Sequence, residues 1–313
     1  MESADKIIAP EVTPKKRQPK PSWIKMRAPT GERYVQIKEL MGTLKLATVC
    51  QEAQCPNIGE CWGGGTATIM LMGEVCTRGC RFCNVKTGNP KGVLDPDEPR
   101  KVAYAVGQMG MDYIVLTSVD RDDLPDEGSS HFASTVRHLK QTSPELLIEV
   151  LTPDFKGHEP FIQAIVDAEP DVYAHNLETV ERLQSRVRDP RAGYRQSLRV
   201  LEFVKERAPK RYTKTSLMLG LGETDQEVVQ ALHDLRSVCC DVVTFGQYLQ
   251  PQPRHLPVEA FITPEKFQEW QTFAESLGFL YVASGPLVRS SYRAGEFFMK
   301  GMIAKSKQTQ GGK

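Results

Sequence analysis

Cys76, Cys80 and Cys83 stand in the run CTRGCRFC, separated by three and then two residues. Thiols this close together, in a chain with no secreted disulfide framework, are first of all candidates for metal binding or chemistry. Zinc sites usually pair ligands in two C-x2-C units, and four ligands close a tetrahedron. Only three thiols are local here. Three thiolates on a cubane iron–sulfur cluster leave one iron without a protein ligand, an open position of the kind catalytic zinc sites keep for substrate. A zinc loop and a set of structural thiols are the alternatives. A second run, CQEAQCPNIGEC, places Cys50, Cys55 and Cys61 at intervals of four and five residues. No local histidine supplies a fourth ligand, so zinc would need a distant one. A second iron–sulfur cluster fits better, because such clusters take cysteines at short spacings.

Stepping out from these thiols, six of the eight cysteines fall between residues 50 and 83 of a 313-residue chain. A disulfide scaffold would be short and loop-rich, which this chain is not. Its 40% hydrophobic and 25% charged residues are ordinary for a globular protein, so one α/β-barrel-sized domain or two smaller ones would fit. A net charge of +1 gives no global field to attract nucleic acid. No apolar run is long enough to span a bilayer. The N-terminus lacks the apolar stretch of a secretory signal, and Glu2, Asp5 and Glu11 argue against a mitochondrial transit peptide. The expected location is cytoplasmic.

Short apolar segments at 66–73, 112–119, 146–152, 171–176, 216–221 and 241–249 read as strands, separated by segments of helical period. A further helix, PEKFQEWQTFAESLG, leads to a seventh strand at 280–287. Apolar strands joined by crossover helices imply a parallel sheet buried on both faces. Polar runs follow the strand ends: Cys76–Cys83 after the first, 118–123 after the second, then 152–155, 175–179, 220–224 and 247–251. An open sheet uses strand C-termini only near a switch point. Six strands feeding polar loops favour a full or partial barrel, with its chemistry at the C-terminal ends.

The cysteine spacing, with aromatic Phe82 before the last thiol, resembles the radical S-adenosylmethionine superfamily. VCQEAQCPNIGECW followed by GEVCTRGCRFCNV closely resembles the lipoyl synthase family within it. The match continues through LTSVDRDDLPDEGSSHF, AHNLETV, YRQSLRVL, KTSLMLGLGE, QYLQP and ASGPLVRSSYRAGEF, over about residues 40–300. Biotin synthase shares the CxxxCxxC idea but not the upstream cysteine run.

The resemblance implies a partial (β/α)6-type barrel with N- and C-terminal extensions covering an auxiliary cluster. The expected boundaries are a basic, Pro-rich arm at 1–30, an N-terminal extension at 31–65, a barrel core at 66–280, a C-terminal extension at 281–300 and a tail at 301–313. It implies two 4Fe–4S clusters and S-adenosylmethionine. The cluster on Cys76, Cys80 and Cys83 would cleave the cofactor to a 5′-deoxyadenosyl radical. The cluster on Cys50, Cys55 and Cys61 would donate sulfur to C6 and C8 of an octanoyl chain borne on a carrier-domain lysine. The family's fourth ligand to that cluster is a serine, here within Arg289-Ser290-Ser291-Tyr292. Adjacent serines rarely point the same way, and the family pattern favours Ser291. Capping of a helix starting near Tyr292 is the bland alternative. Implied partners are octanoylated carrier domains of 2-oxoacid dehydrogenase E2 or glycine-cleavage H type, reduced ferredoxin or flavodoxin, and a cluster carrier, with no nucleic acid or membrane.

For the cofactor, Phe82, Thr117 and Ser118, Asn176 and Glu178, and Gly220 and Gly222 are candidates. Thr117 and Ser118 suit the methionine amino group. Asn176 and Glu178 suit ribose hydroxyls or that amino group. The glycines would let backbone approach adenine. Each could instead serve a turn or cap. Arg186, Arg188, Arg191, Arg195 and Arg199 read either as a solvated face or as contacts to a carboxylate or an acidic carrier. Cys239 and Cys240 are expected to pack as small core residues. His131, His138, His158, His233 and His255 show no ligand spacing, whereas His175 stands at a strand end. Two rivals remain at this point: a radical enzyme with another substrate, and an electron-transfer protein, which would need neither barrel nor open iron.

Overall fold

The computed structural model describes residues 19–25, 31–52, 55, 57–63, 67–291 and 301. Most of the N-terminal arm and C-terminal tail, and Tyr292 of the serine motif, lie outside the described residues. The strands are β1 (Ala47–Thr48), β2 (Thr68–Leu71), β3 (Val75–Cys76), β4 (Lys86–Thr87), β5 (Tyr113–Ser118), β6 (Leu147–Leu151), β7 (Val172–Ala174), β8 (Tyr212–Leu219), β9 (Val242–Gln247) and β10 (Tyr281–Gly285). The helices are α1 (Glu32–Leu44), α2 (Val49–Glu52), α3 (Ile58–Gly63), α4 (Glu98–Met109), α5 (Ser129–Thr142), α6 (Glu159–Val166), α7 (Gln184–Val187), α8 (Tyr194–Arg207), α9 (Asp225–Ser237) and α10 (Pro264–Ser276).

One sheet runs β1-β2-β5-β6-β7-β8-β9-β10, and β2 to β10 within it are parallel. Only β1 is antiparallel, on the outer edge of β2. Each parallel step is bridged by a helix, as the alternation of apolar strand and amphipathic helix requires. Local signals stop and start those helices. Gly110 ends α4 with φ 56°, and Thr224 with Glu227 forms a reciprocal cap on α9. The seventh strand joins this same sheet.

Strand faces alternate. Ile114, Leu116, Ile148 and Val150 face a helix layer with Phe132, Val136 and Phe203, and Leu217, Val243 and Phe245 face another with Leu232 and Phe267. The opposite faces of β5, β7 and β9 meet one another through Tyr113, Val115, Val172 and Val242, with Tyr281 of β10 packed against them. Side chains from β5 and β10 share a cluster only if the sheet curls. This is a partial barrel. Among the described residues β10 pairs only with β9, so the curl is left open.

The strand at β8 starts four residues before the sequence suggests, at Tyr212 rather than 216. Its early part, Thr213-Lys214-Thr215, is polar yet buried. The reason is Lys214, whose Nζ donates to both carboxylate oxygens of Glu149 on β6 at 2.9 and 2.8 Å inside the barrel. Tyr113 on β5 donates to the same carboxylate at 2.6 Å.

Breaking such a pair strands a buried charge, whereas replacing both partners by apolar groups can be near neutral. Lys214→Met should therefore cost about 3–5 kcal/mol. The double change Glu149→Leu with Lys214→Met should recover most of that loss. Urea unfolding of the three proteins checks it, and equal losses in the single and double variants would show that the pair is not what the barrel interior depends on.

Candidate functional site

A cavity of about 540 Å³ opens at the C-terminal ends of the parallel strands. Five of the six clustered cysteines line it: Cys50, Cys55, Cys76, Cys80 and Cys83. Cys61 is buried on α3 in the core and is not part of its lining.

The loop carrying Cys76, Cys80 and Cys83 is bracketed by β3 and β4, which pair in parallel. Inside it, the Arg78 side chain is 2% exposed and meets three carboxylates: Asp120 at 3.2 Å, Asp122 at 3.1 Å and Asp154 at 2.7 Å. Those acids stand beyond the ends of β5 and β6. A second clamp comes from the segment after α7. Arg81 N–H donates to Val187 O at 2.9 Å, Gly79 N–H to Asp189 Oδ2 at 2.8 Å and Arg191 to Thr77 O at 2.8 Å. Backbone N–H groups already aim at the sulfurs: Arg78 and Asp120 at Cys76 Sγ, both 3.4 Å, and Asp189 at Cys80 Sγ, 3.3 Å. Such donors stabilise thiolate and tune a bound cluster. His255 Nε2 donates to Cys83 O at 2.9 Å, fixing the far end of the loop.

The upstream thiols sit on short α2 and α3 and the turn between them. Cys55 N–H donates to Cys50 O at 3.0 Å, and Asn84 ties this segment to the lower cysteine loop through Glu52 O at 2.9 Å. Trp62 is fully buried, and its indole N–H has no oxygen or nitrogen acceptor at hydrogen-bond distance. It lies against Cys50, where it opposes the upward push of burial on that thiol.

The chain's other end enters the same cavity. Asn57 Nδ2 donates to Leu287 O at 2.7 Å. A β-carbon on Gly246 of β9 would stand 2.1 Å from Val288 O, so only glycine lets the returning segment cross the sheet there. Arg289, Ser290 and Ser291 then line the cavity. Thr68 Oγ1 donates to Ser291 Oγ at 3.0 Å.

Phe82, Thr117, Ser118, Asn176 and Glu178 all line the cavity, as does His175. The Thr117 hydroxyl is committed to Leu151 O at 2.8 Å. Ser118 Oγ and Asn176 Oδ1 are buried without a partner, two polar atoms that a ligand would satisfy. Asn176 Nδ2 donates to Glu178 at 3.1 Å, and Glu178 holds a left-handed φ of 68°. Burial pushes the Glu178 carboxyl above its usual range. Gly220 and Gly222 are not in the lining. A β-carbon on Gly220 would meet Ala260 O and Gln247 Nε2 at 2.3 Å, and both glycines hold positive φ. His175 is held neutral, its pKa pulled to about 4 by burial and by Arg188. Its Nδ1 donates to Thr152 O, so its Nε2 accepts from Ser197, which accepts from Arg188.

The five arginines divide. Arg188 is buried and lines the cavity. Arg191 clamps the cysteine loop. Arg186 pairs with Glu259, Arg195 with Glu181, and Arg199 with Glu159, Glu202 and Glu206. Those last three are solvated pairs rather than a basic patch. Cys240 is fully buried, as expected, but Cys239 is exposed. It occupies the left-handed turn after α9 at φ 58°, so the core-facing reading is corrected for that residue. Sequence reasoning missed Arg78 and Asp189 and gave Asp154, His255 and Arg289 no role of their own. Their signal was position, at strand ends or beside the cysteines.

The donors fit iron–sulfur clusters: soft thiols, N–H groups directed at sulfur and unsatisfied polar atoms share one cavity. Burial holds the thiols protonated, raising Cys50 and Cys83 to about 11 and Cys80 to about 12, and Cys76 and Cys55 also rise.

The radical SAM superfamily model matches residues 70–235, and that for the N-terminal domain of lipoyl synthase of the radical SAM family matches residues 6–55. The lipoyl synthase of Myxococcus xanthus (strain DK1622) is 61% identical over 288 residues, covering 92% of this chain and 96% of that protein. The chloroplastic lipoyl synthase of Arabidopsis thaliana is 57% identical over 292 residues, covering 92% and 74%. The mitochondrial lipoyl synthase of Culex quinquefasciatus is 58% identical over 288 residues, covering 90% and 76%. Among solved structures, methylornithine synthase (PylB) superposes with a TM-score of 0.51 at 14% identity, covering 82% of this chain and 84% of that one. The FeFe-hydrogenase maturase HydG gives 0.52 at 13%, covering 85% and 71%. At these identities the structures speak for the fold alone. Among the described residues no helix is long and apolar enough to cross a membrane.

The raised thiols make a pH prediction for the iron-free protein. Unfolded, these thiols titrate near 9.0; folded, they keep their protons to about 11 or 12. The unfolded chain therefore binds fewer protons above pH 9, and stability falls with rising pH. The contribution is complete below about pH 9 and is lost by about pH 11–12. Coordinated thiolates carry no proton, so iron loading should remove this dependence. Thermal unfolding from pH 8 to 11, with and without iron, tests it. A parallel decline in both forms would point away from the thiols.

Proposed function

The chain belongs to the lipoyl synthase family of radical SAM enzymes, and on that footing we propose which of its residues carry the reaction. The enzyme inserts two sulfur atoms at C6 and C8 of a protein-bound octanoyl-lysine, using two S-adenosylmethionine per product and an auxiliary 4Fe–4S cluster as sulfur donor. We assign Cys76, Cys80 and Cys83 to the cluster that binds S-adenosylmethionine. Cys50, Cys55, Cys61 and Ser291 are assigned to the auxiliary cluster, with Cys61 joining by family pattern. One observation supports the assignment: five of the six clustered cysteines, all but Cys61, share one cavity with the serine segment from near the other end of the chain.

When bound, one cluster would supply the electron that frees a primary alkyl radical from S-adenosylmethionine, able to take hydrogen from unactivated carbon, and the other the sulfur that replaces it. The chain's own residues position and shield. Arg78 and the Asp189–Arg191 clamp hold the lower loop that carries the three thiols. Asn176, Glu178 and Ser118 offer polar atoms to the amino or ribose groups of S-adenosylmethionine, with Phe82 beside them. Thr117 supports the wall, since its hydroxyl is already spent on Leu151. Gly220 and Gly222 act behind the lining, through backbone shape. Ser291 is favoured over Ser290 because Thr68 links it to Cys50: its hydroxyl donates to Ser291 while its backbone interacts with the Cys50 thiol. Serine oxygen is a weak ligand for soft iron, which suits a cluster that must open.

The boundaries at 1–30, 31–65, 66–280, 281–300 and 301–313 belong to this proposal. So do E2-type and H-type carriers as alternative substrates, reduced ferredoxin or flavodoxin as electron donor, and a cluster carrier for repair. A cytoplasmic location is supported by thiols that need a reducing compartment, although some relatives are chloroplastic or mitochondrial.

Anaerobic reconstitution should give about eight irons per chain. Cys80→Ala should abolish S-adenosylmethionine cleavage. Cys55→Ala should still cleave it yet form no lipoyl group, read by mass spectrometry of an octanoylated carrier. Product from Cys55→Ala at the parent rate would remove the upstream set as the sulfur source. Ser291→Ala should stop insertion and Ser290→Ala should be milder; the reverse ranking moves the ligand by one residue.

The enzyme should also consume its auxiliary cluster. Cys240 is buried, and Cys239, although exposed, stands at the N-terminal end of β9. That end lies about 20 Å from the cavity by strand length. Neither can hand sulfur to the substrate directly. One lipoyl product per chain is expected without an external carrier, with the upstream iron lost afterwards, and Cys239→Ala with Cys240→Ala should not change that yield. Several turnovers by purified protein with no sulfur source would show that the cluster is not sacrificed.

A further inference from the structure

Most charged groups at the cavity meet an opposite charge. Arg78 has three carboxylates, and Arg188 has Asp154 at 3.9 Å. Arg289 differs. Its Nη1 donates to the neighbouring Val288 carbonyl at 2.7 Å, and no carboxylate among the described residues pairs with it. The same Nη1 stands 3.3 Å from where a Gly246 β-carbon would be, so the guanidinium lies over the bare inner face of β9. It lines the cavity together with Cys50, Cys55 and Ser291.

A half-buried, always-charged guanidinium with no carboxylate beside it is a ready partner for an anion bound in the cavity. Three thiolates and an oxygen ligand leave an iron–sulfur core with net negative charge, and nearby positive charge raises its reduction potential. We propose that Arg289 is a positioning residue that provides the counter-charge for the auxiliary cluster, retaining it and setting its potential. The inference rests on the assignment of Cys50, Cys55 and Cys61 above. The place of Arg289 two residues before Ser291, which Thr68 holds by a hydrogen bond, favours that cluster over the cofactor's carboxylate as the anion served.

Arg289→Gln and Arg289→Lys are compared in full-length Cys80→Ala protein, where only the auxiliary cluster is to be read. Three measurements are made: iron content after anaerobic reconstitution, midpoint potential by spectroscopic redox titration, and thermal unfolding of the iron-free form. Arg289→Gln should lower the cluster's affinity for an electron about tenfold, equal to ~59 mV for one electron, or retain less iron. Arg289→Lys should restore most of the effect. Iron-free Arg289→Gln should be at least as stable as its parent, because an unpaired charge has been removed. That opposite sign separates the proposal from a structural role. An unchanged potential at full iron content overturns it, as does loss of stability in the iron-free form. Weaker S-adenosylmethionine binding by Arg289→Gln with Cys80 restored, at unchanged potential, transfers the residue to the cofactor and also overturns it. A Cys80→Ala parent holding no iron overturns the ligand assignment itself, and the inference with it.

Discussion

The Arg78 guanidinium, buried between Cys76 and Cys80 and shared by Asp120, Asp122 and Asp154, is the constraint from which the site is built. Three acids converging without a cation would repel one another, and the cation alone would be stranded. Together they join the cysteine loop after β2 to the ends of β5 and β6. Burial works against ionisation of Asp122, yet hydrogen bonds from Arg78 and Thr77 hold it well below the usual carboxylate range. Asp120 receives less help: burial lifts it to about 6 despite Arg78. The cluster loop is thus fixed by an interaction that owes nothing to the thiols.

Against that fixed lower loop, the upper wall comes from the two chain ends. The N-terminal turn offers Cys50 and Cys55, while the segment after β10 crosses over Gly246 to offer Arg289, Ser290 and Ser291. Asn57 and Thr68, both from the N-terminal side, hold that returning segment by hydrogen bonds. A site assembled this way exists only once β10 has docked on β9. The most local elements of the fold therefore carry Cys76, Cys80 and Cys83, and the most distant contacts complete the wall around Cys50 and Cys55.

Much of this was legible because the physics was local. Short apolar runs between segments of helical period marked every strand of the main sheet except β1, and the strand-end rule put the polar loops on one rim. What stayed hidden depended on partners far away in sequence. The start of β8 reads as polar because Lys214 is neutralised only by Glu149, 65 residues earlier. Arg78 looks like a loop cation until Asp154 is placed beside it. Cys239 and Cys240 are indistinguishable by composition, and a left-handed turn separates an exposed thiol from a buried one. Gly220 and Gly222 read as backbone openings toward a ligand, but the space at Gly220 is taken by Ala260 and Gln247, and neither glycine lines the cavity.

The filled lower half of the barrel bears on how substrate must arrive. Tyr113, Val115, Val172 and Val242 pack the interior below the cavity, and the Lys214–Glu149 pair seals it with a buried charge couple. Nothing as long as an alkyl chain passes through such packing. An octanoyl arm therefore has to come in over the strand C-termini, past the same rim that presents both cysteine sets. Within the rim, His175 is neutral and the Thr117 and Thr152 hydroxyls are already bonded to Leu151 and Tyr173. Away from Ser118, Asn176 and Arg289, the spent hydroxyls and neutral imidazole suit an unactivated carbon chain, whose hydrogens no base could remove and whose radical must meet nothing but sulfur.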